Sequence, residues 1–149
     1  MAERDMLEAI KIQAKVVVPI VKALEAELGK ARAHQIVGDA IAGAYVGYRQ
    51  RRGFEADMHP GVEVDGPSFP VQKTVVEHAD AVYGHDITGC AFADYFNSIE
   101  EPEIGALMTC AVDFAAEALM RPGWDFKRTQ TRMQGAPHCD FRWRKRDAS

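Results

Sequence analysis

Cys90, Cys110 and Cys139 are the residues of this chain best suited to covalent chemistry. A thiolate is a strong nucleophile once a cation or a base lowers its pKa. Asp113 follows Cys110 by three residues, and Glu117 follows Asp113 by four. On a helix those spacings stack the three side chains on one face. The two carboxylates alone would suit a solvent-facing stripe. Cys110 argues otherwise, because free cysteine is among the most buried residue types. A thiol and two carboxylates on a second buried face would line a polar pocket, with Asp113 placed as general base. The plain alternative is that all three cysteines are inert core residues.

A second group lies near the C-terminus. Arg128, Thr129 and Thr131 precede a turn, and His138, Cys139 and Asp140 follow it. Arg128 offers a planar fork that suits a substrate carboxylate. His138 is a second candidate base. If 126–133 is a regular strand, alternation sets Arg128 opposite Thr129 and Thr131, so only one of Arg128 and Thr131 faces the pocket. Alternation also separates Cys139 from Asp140. Cys90, Cys110, Cys139 and His138 meet the number of ligands that zinc needs. Their spacing matches no standard metal motif, and there is no CxxC. The expectation is therefore no cofactor, with zinc or another divalent metal as the rival.

The elements that must position these residues divide into a helical front and a mixed back. Leu7, Ile10, Ala14, Val17, Val21, Leu24 and Leu28 recur at spacings of three and four, which predicts a helix from about Asp5 to Leu28, bent at Pro19. A second helix follows, with Ala33, Ile36, Val37, Ala40, Ile41, Ala44 and Tyr48 inward and Gly43 and Gly47 open to close approach. Core packing explains both stripes, with a dimer seam as the sharper alternative for the first. Arg49–Arg52 reads as a solvated helix end. The Pro- and Gly-rich stretch 53–70 reads as a long loop, a lid or pocket wall containing His59. Short strands are predicted over 71–76 and 81–87, and a helix over 88–99. A further helix spans 103–120, with Ile104, Leu107, Met108, Ala111, Ala115, Ala118 and Leu119 as its core stripe. Strands over 126–133 and 139–145 close the chain as a hairpin.

Length and composition bound the rest. At 149 residues, with 47% hydrophobic and 27% charged, the chain suits one soluble domain. Its expected layout is a helical scaffold over about 5–52, a loop over 53–70 and a site-bearing α+β part over about 71–146. The net charge of −4 argues against nucleic acid as a partner. The basic end, Arg142 to Arg146, reads as a protected strand edge. No apolar run is long enough to span a membrane. Free thiols and the charged start point to the cytoplasm.

Three stretches together resemble the L-2-amino-thiazoline-4-carboxylic acid hydrolase family: DITGCAFADYF, EPEIGALMTCAVDF and RTQTRMQGAPHCDFRWR. The shared features are Cys90 before an aromatic helix, the Cys110–Asp113 pair, the Arg128-Thr129-Thr131 segment, and the ending with Gly135, Cys139, Asp140, Phe141 and Arg142. The resemblance covers residues 82–144. It implies hydrolytic opening of a small cyclic amidine, giving N-carbamoyl-cysteine in the family's namesake reaction. The ending is also similar to 4-vinyl-reductase sensor domains, which place zinc on cysteines near such a hairpin. Thr131 and Arg128 stand where that pattern would have a cysteine and an acid.

These readings combine into one expectation. The fold is α+β, with N-terminal helices packed on a small, mainly antiparallel sheet that ends in a C-terminal β-hairpin. The function is a cysteine-assisted hydrolase with Cys110, Asp113 and Cys139 as catalytic residues. Arg128, Thr131, His138 and Cys90 bind a small carboxylate-bearing substrate. A homodimer or higher homo-oligomer is the expected assembly. A small-molecule or metal-binding sensor domain without catalysis is the alternative.

Overall fold

The computed structural model describes residues 3–63 and 69–147. Two long helices open the chain: α1 (Glu3–Leu28) and α2 (Lys30–Arg52). They are hinged at Gly29, whose φ of 81° lies in the left-handed region open to glycine. The predicted α1 stripe is correct at its centre. Ala14 and Val21 are buried, and Leu7, Ile10 and Val17 pack against the same core. Leu28 is exposed, as are Ile12, Val16 and Ile20. Pro19 is held inside the helix.

The inner face of α2 differs from expectation. Ala33 is fully buried, and Val37 and Ile41 pack on the core. Ile36, Ala40, Ala44 and Tyr48 are exposed. The glycine that allows close approach is Gly38, where an added Cβ would stand 3.4 Å from Leu107, while Gly43 faces open space.

The back half begins with β1 (Val71–Ala79) and β2 (Val82–Cys90), an antiparallel pair joined by a two-residue turn. The strand continues through Cys90, so the helix predicted from Thr88 starts only at Ala91. This helix, α3 (Ala91–Ser98), buries Phe92, Ala93 and Phe96. The final strands are β3 (Trp124–Lys127) and β4 (Cys139–Lys145). The sheet is antiparallel throughout, in the order β1-β2-β4-β3. The architecture is thus α+β with a closing β3/β4 hairpin. The predicted strand over 126–133 is shorter than expected. It stops at Lys127, and Arg132–Gln134 form a single 3-10 turn instead.

The predicted helix over 103–120 is the main departure. It starts as α4 (Pro102–Gly105), widens to a π turn over Ala106–Cys110, and resumes as α5 (Val112–Met120). The Ala111 amide bonds to the Ala106 carbonyl at 2.8 Å, one residue further back than in an α-helix. The extra residue rotates everything beyond it by about 100°. Ile104 and Met108 are buried as predicted, but Ala111 and Ala118 are exposed and Ala116 is buried instead.

Two apolar clusters hold the layers. One joins α1, α2, α3, α4 and the π turn around Phe96, Ile104, Met108 and Met133. The other lines the inner sheet face with Tyr83, Trp124, Trp143, Phe126 and Phe141. His59 anchors the 53–63 segment over that face. Its Nε2 lies 2.8 Å from the Ala79 carbonyl, and its Nδ1 accepts from the Gly61 amide. Among the described residues, no helix is long and apolar enough to cross a membrane.

Candidate active site

The π turn ends at Cys110, and this placement shapes the site. Its spacing anomaly lies before Cys110, so the steps of three and four to Asp113 and Glu117 are undisturbed. π turns recur at functional positions because they redirect side chains and carbonyls without ending the helix. Where the π turn ends, the Cys110 carbonyl is taken up by Arg128. Its Nη1 donates to the Cys110 carbonyl at 3.0 Å and to Asp113 Oδ2 at 2.6 Å. The Arg128 side chain is only 6% exposed, against 39% for Asp113. The rings of Phe114 and Phe141 pack on its guanidinium, with centroids at 4.8 and 5.5 Å. Arg128 lies just beyond β3, so strand alternation does not force a choice between it and Thr131.

The electrostatics of the thiol–carboxylate pair follow from burial. Burial pushes Cys110 up to about 11; the Thr109 hydroxyl, 3.5 Å from its Sγ, and the Arg128 cation pull the other way. Burial also raises Asp113 to about 6, assisted by Glu117 and opposed by Arg128. Cys110 is therefore a thiol near neutrality, and Asp113 is a stronger base than an ordinary aspartate.

The other two cysteines are nearby. Cys90 sits at the junction of β2 and α3. Burial raises its thiol, while the amides of Ala93 and Phe92 at the start of α3 pull it back. Cys139 opens β4, is buried, and accepts from the Arg132 amide at 3.2 Å. Burial raises its thiol as well. The Arg128 cation pulls the thiols of both Cys110 and Cys139 downward. Cys90 and Cys110 also pack against the same apolar cluster.

The remaining predicted residues go elsewhere. Thr131 is buried and caps the 3-10 turn, donating to Gln134 Oε1 at 3.1 Å and accepting from the Gln134 amide. His138 faces Asp86 at 3.8 Å, and Asp86 also pairs with Arg142 at 2.8 Å. Asp86 and Asp140 are register partners, one step out of phase with the Ile87/Cys139 pair. They lie on the outer sheet face, away from Cys139. The four-ligand zinc set of the sequence reading is therefore not assembled. Among the described residues, no group of three or more His, Cys, Asp or Glu is arranged to hold a metal ion. Glu117 is occupied by Arg121 and by the Trp143 indole, each at 2.8 Å. A cleft of about 340 Å3, lined by Leu7, Lys11, Ala91, Asp94, Tyr95 and Ser98, holds none of the candidate residues.

Two residues important to this geometry were not assigned roles from sequence. Asp140 accepts from the Thr129 and Gln130 amides at 2.8 and 2.9 Å and from the Thr129 hydroxyl. It fixes the chain immediately after Arg128. Thr109 bonds the Gly105 carbonyl at 2.9 Å and braces the π turn. The Cys-Asp dipeptide at 139–140 was the available signal for Asp140. Nothing in local sequence marks Thr109.

Residues 9–143 match the family described as L-2-amino-thiazoline-4-carboxylic acid hydrolase. The chain belongs to that family. The match runs well beyond the 82–144 stretch that carries the visible motifs and takes in both N-terminal helices. No curated protein and no solved structure gives a significant match. Hydrolase activity is what membership in the L-2-amino-thiazoline-4-carboxylic acid hydrolase family suggests for this chain.

Proposed function

We propose that the chain opens a small 2-aminothiazoline ring by cysteine-assisted hydrolysis. The observation that carries this reading is the Arg128 clamp, which ties the Cys110 carbonyl and the Asp113 carboxylate to one buried cation. That clamp fixes the Cys110 backbone and the Asp113 carboxylate on one unit.

In the proposed reaction, Cys110 Sγ adds to the ring carbon between nitrogen and sulfur as its proton passes to Asp113. Concerted proton removal is needed because the free thiol is un-ionised near neutrality. The bond from that carbon to the ring sulfur then breaks. The sulfur departs as a thiol, taking the proton from Asp113. Water adds to the carbon now held on Cys110, the bond to Cys110 breaks, and the thiol is restored. One water is consumed, no electrons are transferred, and the product is N-carbamoyl-cysteine. Arg128 steadies the charge that builds around the pair. Cys139 is the alternative nucleophile. A metal-activated water is the mechanistic rival.

The test is incubation of purified protein with 2-aminothiazoline-4-carboxylate, following N-carbamoyl-cysteine by mass spectrometry. Turnover that survives treatment with a strong chelator supports the reading. Absent turnover, or turnover lost with the chelator and restored by metal, contradicts it.

A further inference from the structure

Among the described residues, the buried side-chain nitrogen and oxygen atoms that lack a hydrogen-bond partner are Arg128 Nε and Arg132 Nε. Buried polar groups are almost always satisfied, so each orphan requires an explanation. These two belong to residues four apart in the loop that carries the site.

Their charges are not equivalent. Arg128 is neutralised by Asp113 at 2.6 Å, and its guanidinium is packed by Phe114 and Phe141. Arg132 pairs with no carboxylate among the described residues. Its Nη1 donates to the Pro137 carbonyl at 2.8 Å, a neutral partner that leaves the cation uncompensated. The backbone holds it firmly: the Arg132 amide donates to Cys139 Sγ, and Met133 beside it is 1% exposed. A partly buried guanidinium with an orphan donor and no counter-charge is a site prepared for an anion.

We infer that Arg132 receives the carboxylate of the substrate, while Arg128 serves Asp113 and the Cys110 carbonyl. This inference rests on the ring-opening reading for the identity of the ligand, and it divides between two arginines the role that sequence gave to Arg128. A carboxylate on Arg132 satisfies Nε and supplies the missing charge.

The experiment compares 2-aminothiazoline-4-carboxylate with 2-aminothiazoline, which lacks the carboxylate. Binding of each is measured by calorimetry to the wild-type protein, Arg132→Gln and Arg132→Lys. Wild type is expected to prefer the carboxylate. Arg132→Gln should weaken the carboxylate ligand roughly 10- to 100-fold and leave the neutral ligand unchanged. Arg132→Lys should recover part of the loss, because it keeps the charge without the fork. Equal weakening of both ligands would reduce Arg132 to a structural role and overturn the inference. So would no weakening of either, or a wild type that does not distinguish the two. Binding is read without turnover, so an inactive protein that still binds the carboxylate through Arg132 would sink the hydrolase reading alone.

Discussion

Arg128 and Asp113 form an ion pair of 2.6 Å in which the cation is buried and the carboxylate retains 39% exposure. The asymmetry matters for chemistry. The buried partner is fixed, held also by the Cys110 carbonyl and two aromatic rings. In the proposed reaction, the partner that exchanges protons is the one that reaches solvent. A base for a neighbouring thiol needs this arrangement: oriented by a permanent charge, yet accessible to substrate and water.

The raised pKa of Asp113 sets the pH dependence. With its carboxyl at about 6 in the folded protein, kcat/KM should rise with pH through about 6 as the base form appears. Asp113→Asn should lose that inflection together with most of the rate. Stability should follow the opposite trend. The fold favours protonated Asp113, so this contribution is complete below 3.8 and is lost as pH rises through about 6. Thermal melts of wild type and Asp113→Asn across pH 3.5–7 check the sign, since the variant should lack that slope.

Cys110 should be a sluggish thiol in the free protein. With a pKa of about 11, its thiolate fraction at neutral pH is about 10⁻⁴. Iodoacetamide should label it on the order of 10²-fold more slowly than an unperturbed cysteine at pH 7, accelerating about tenfold per pH unit upward. Peptide mass spectrometry reads this directly. Rapid labelling at pH 7 would mean that the thiol is ionised before substrate arrives.

Asp140 should matter although it is remote from the reacting atoms. Burial raises its carboxyl, but hydrogen bonds from the Thr129 side chain and the Gln130 and Thr129 amides outweigh that and hold it below the usual value. Its contribution is therefore present at neutral pH and lost as pH falls through the lowered value. Asp140→Ala should cost about 1–2 kcal/mol and lower kcat by loosening the chain that presents Arg128. Asp140→Asn should recover part of both. Denaturant melts alongside kinetics separate the two effects.

The π turn makes a prediction that an uninterrupted helix does not. Ala111→Glu and Ala118→Glu should be tolerated within about 0.5 kcal/mol, because both positions face solvent. Ala116→Glu should cost more than about 2 kcal/mol, because that position is 7% exposed and a charge there lacks water. Thermal denaturation of the three variants decides the register.

This register also shows where sequence reasoning reached its limit. Ala14 and Val21 were readable because an unbroken helix repeats its inward face faithfully. Ala116 was not, because the π turn before it inserts an extra residue that no local pattern announces. The same limit applied to Arg128 and Thr131, which alternation placed on opposed faces although the strand ends at Lys127. The helical spacing of three between Cys110 and Asp113 is kept because it lies beyond the distortion. The clamp that unites them depends on a residue fifteen positions away in sequence, which no local pattern encodes.

In the proposed reaction the attacking atom is Cys110 Sγ. The direct measurement is rapid acid quench of protein mixed with 2-aminothiazoline-4-carboxylate, with intact-mass and peptide analysis, beside steady-state turnover of Cys110→Ala. The predicted result is a substrate-derived adduct on Cys110 in wild type. In Cys110→Ala the adduct should be absent, turnover lower by roughly 10³-fold or more, and the melting temperature nearly unchanged. An adduct-free wild type together with near-normal turnover in Cys110→Ala would contradict it.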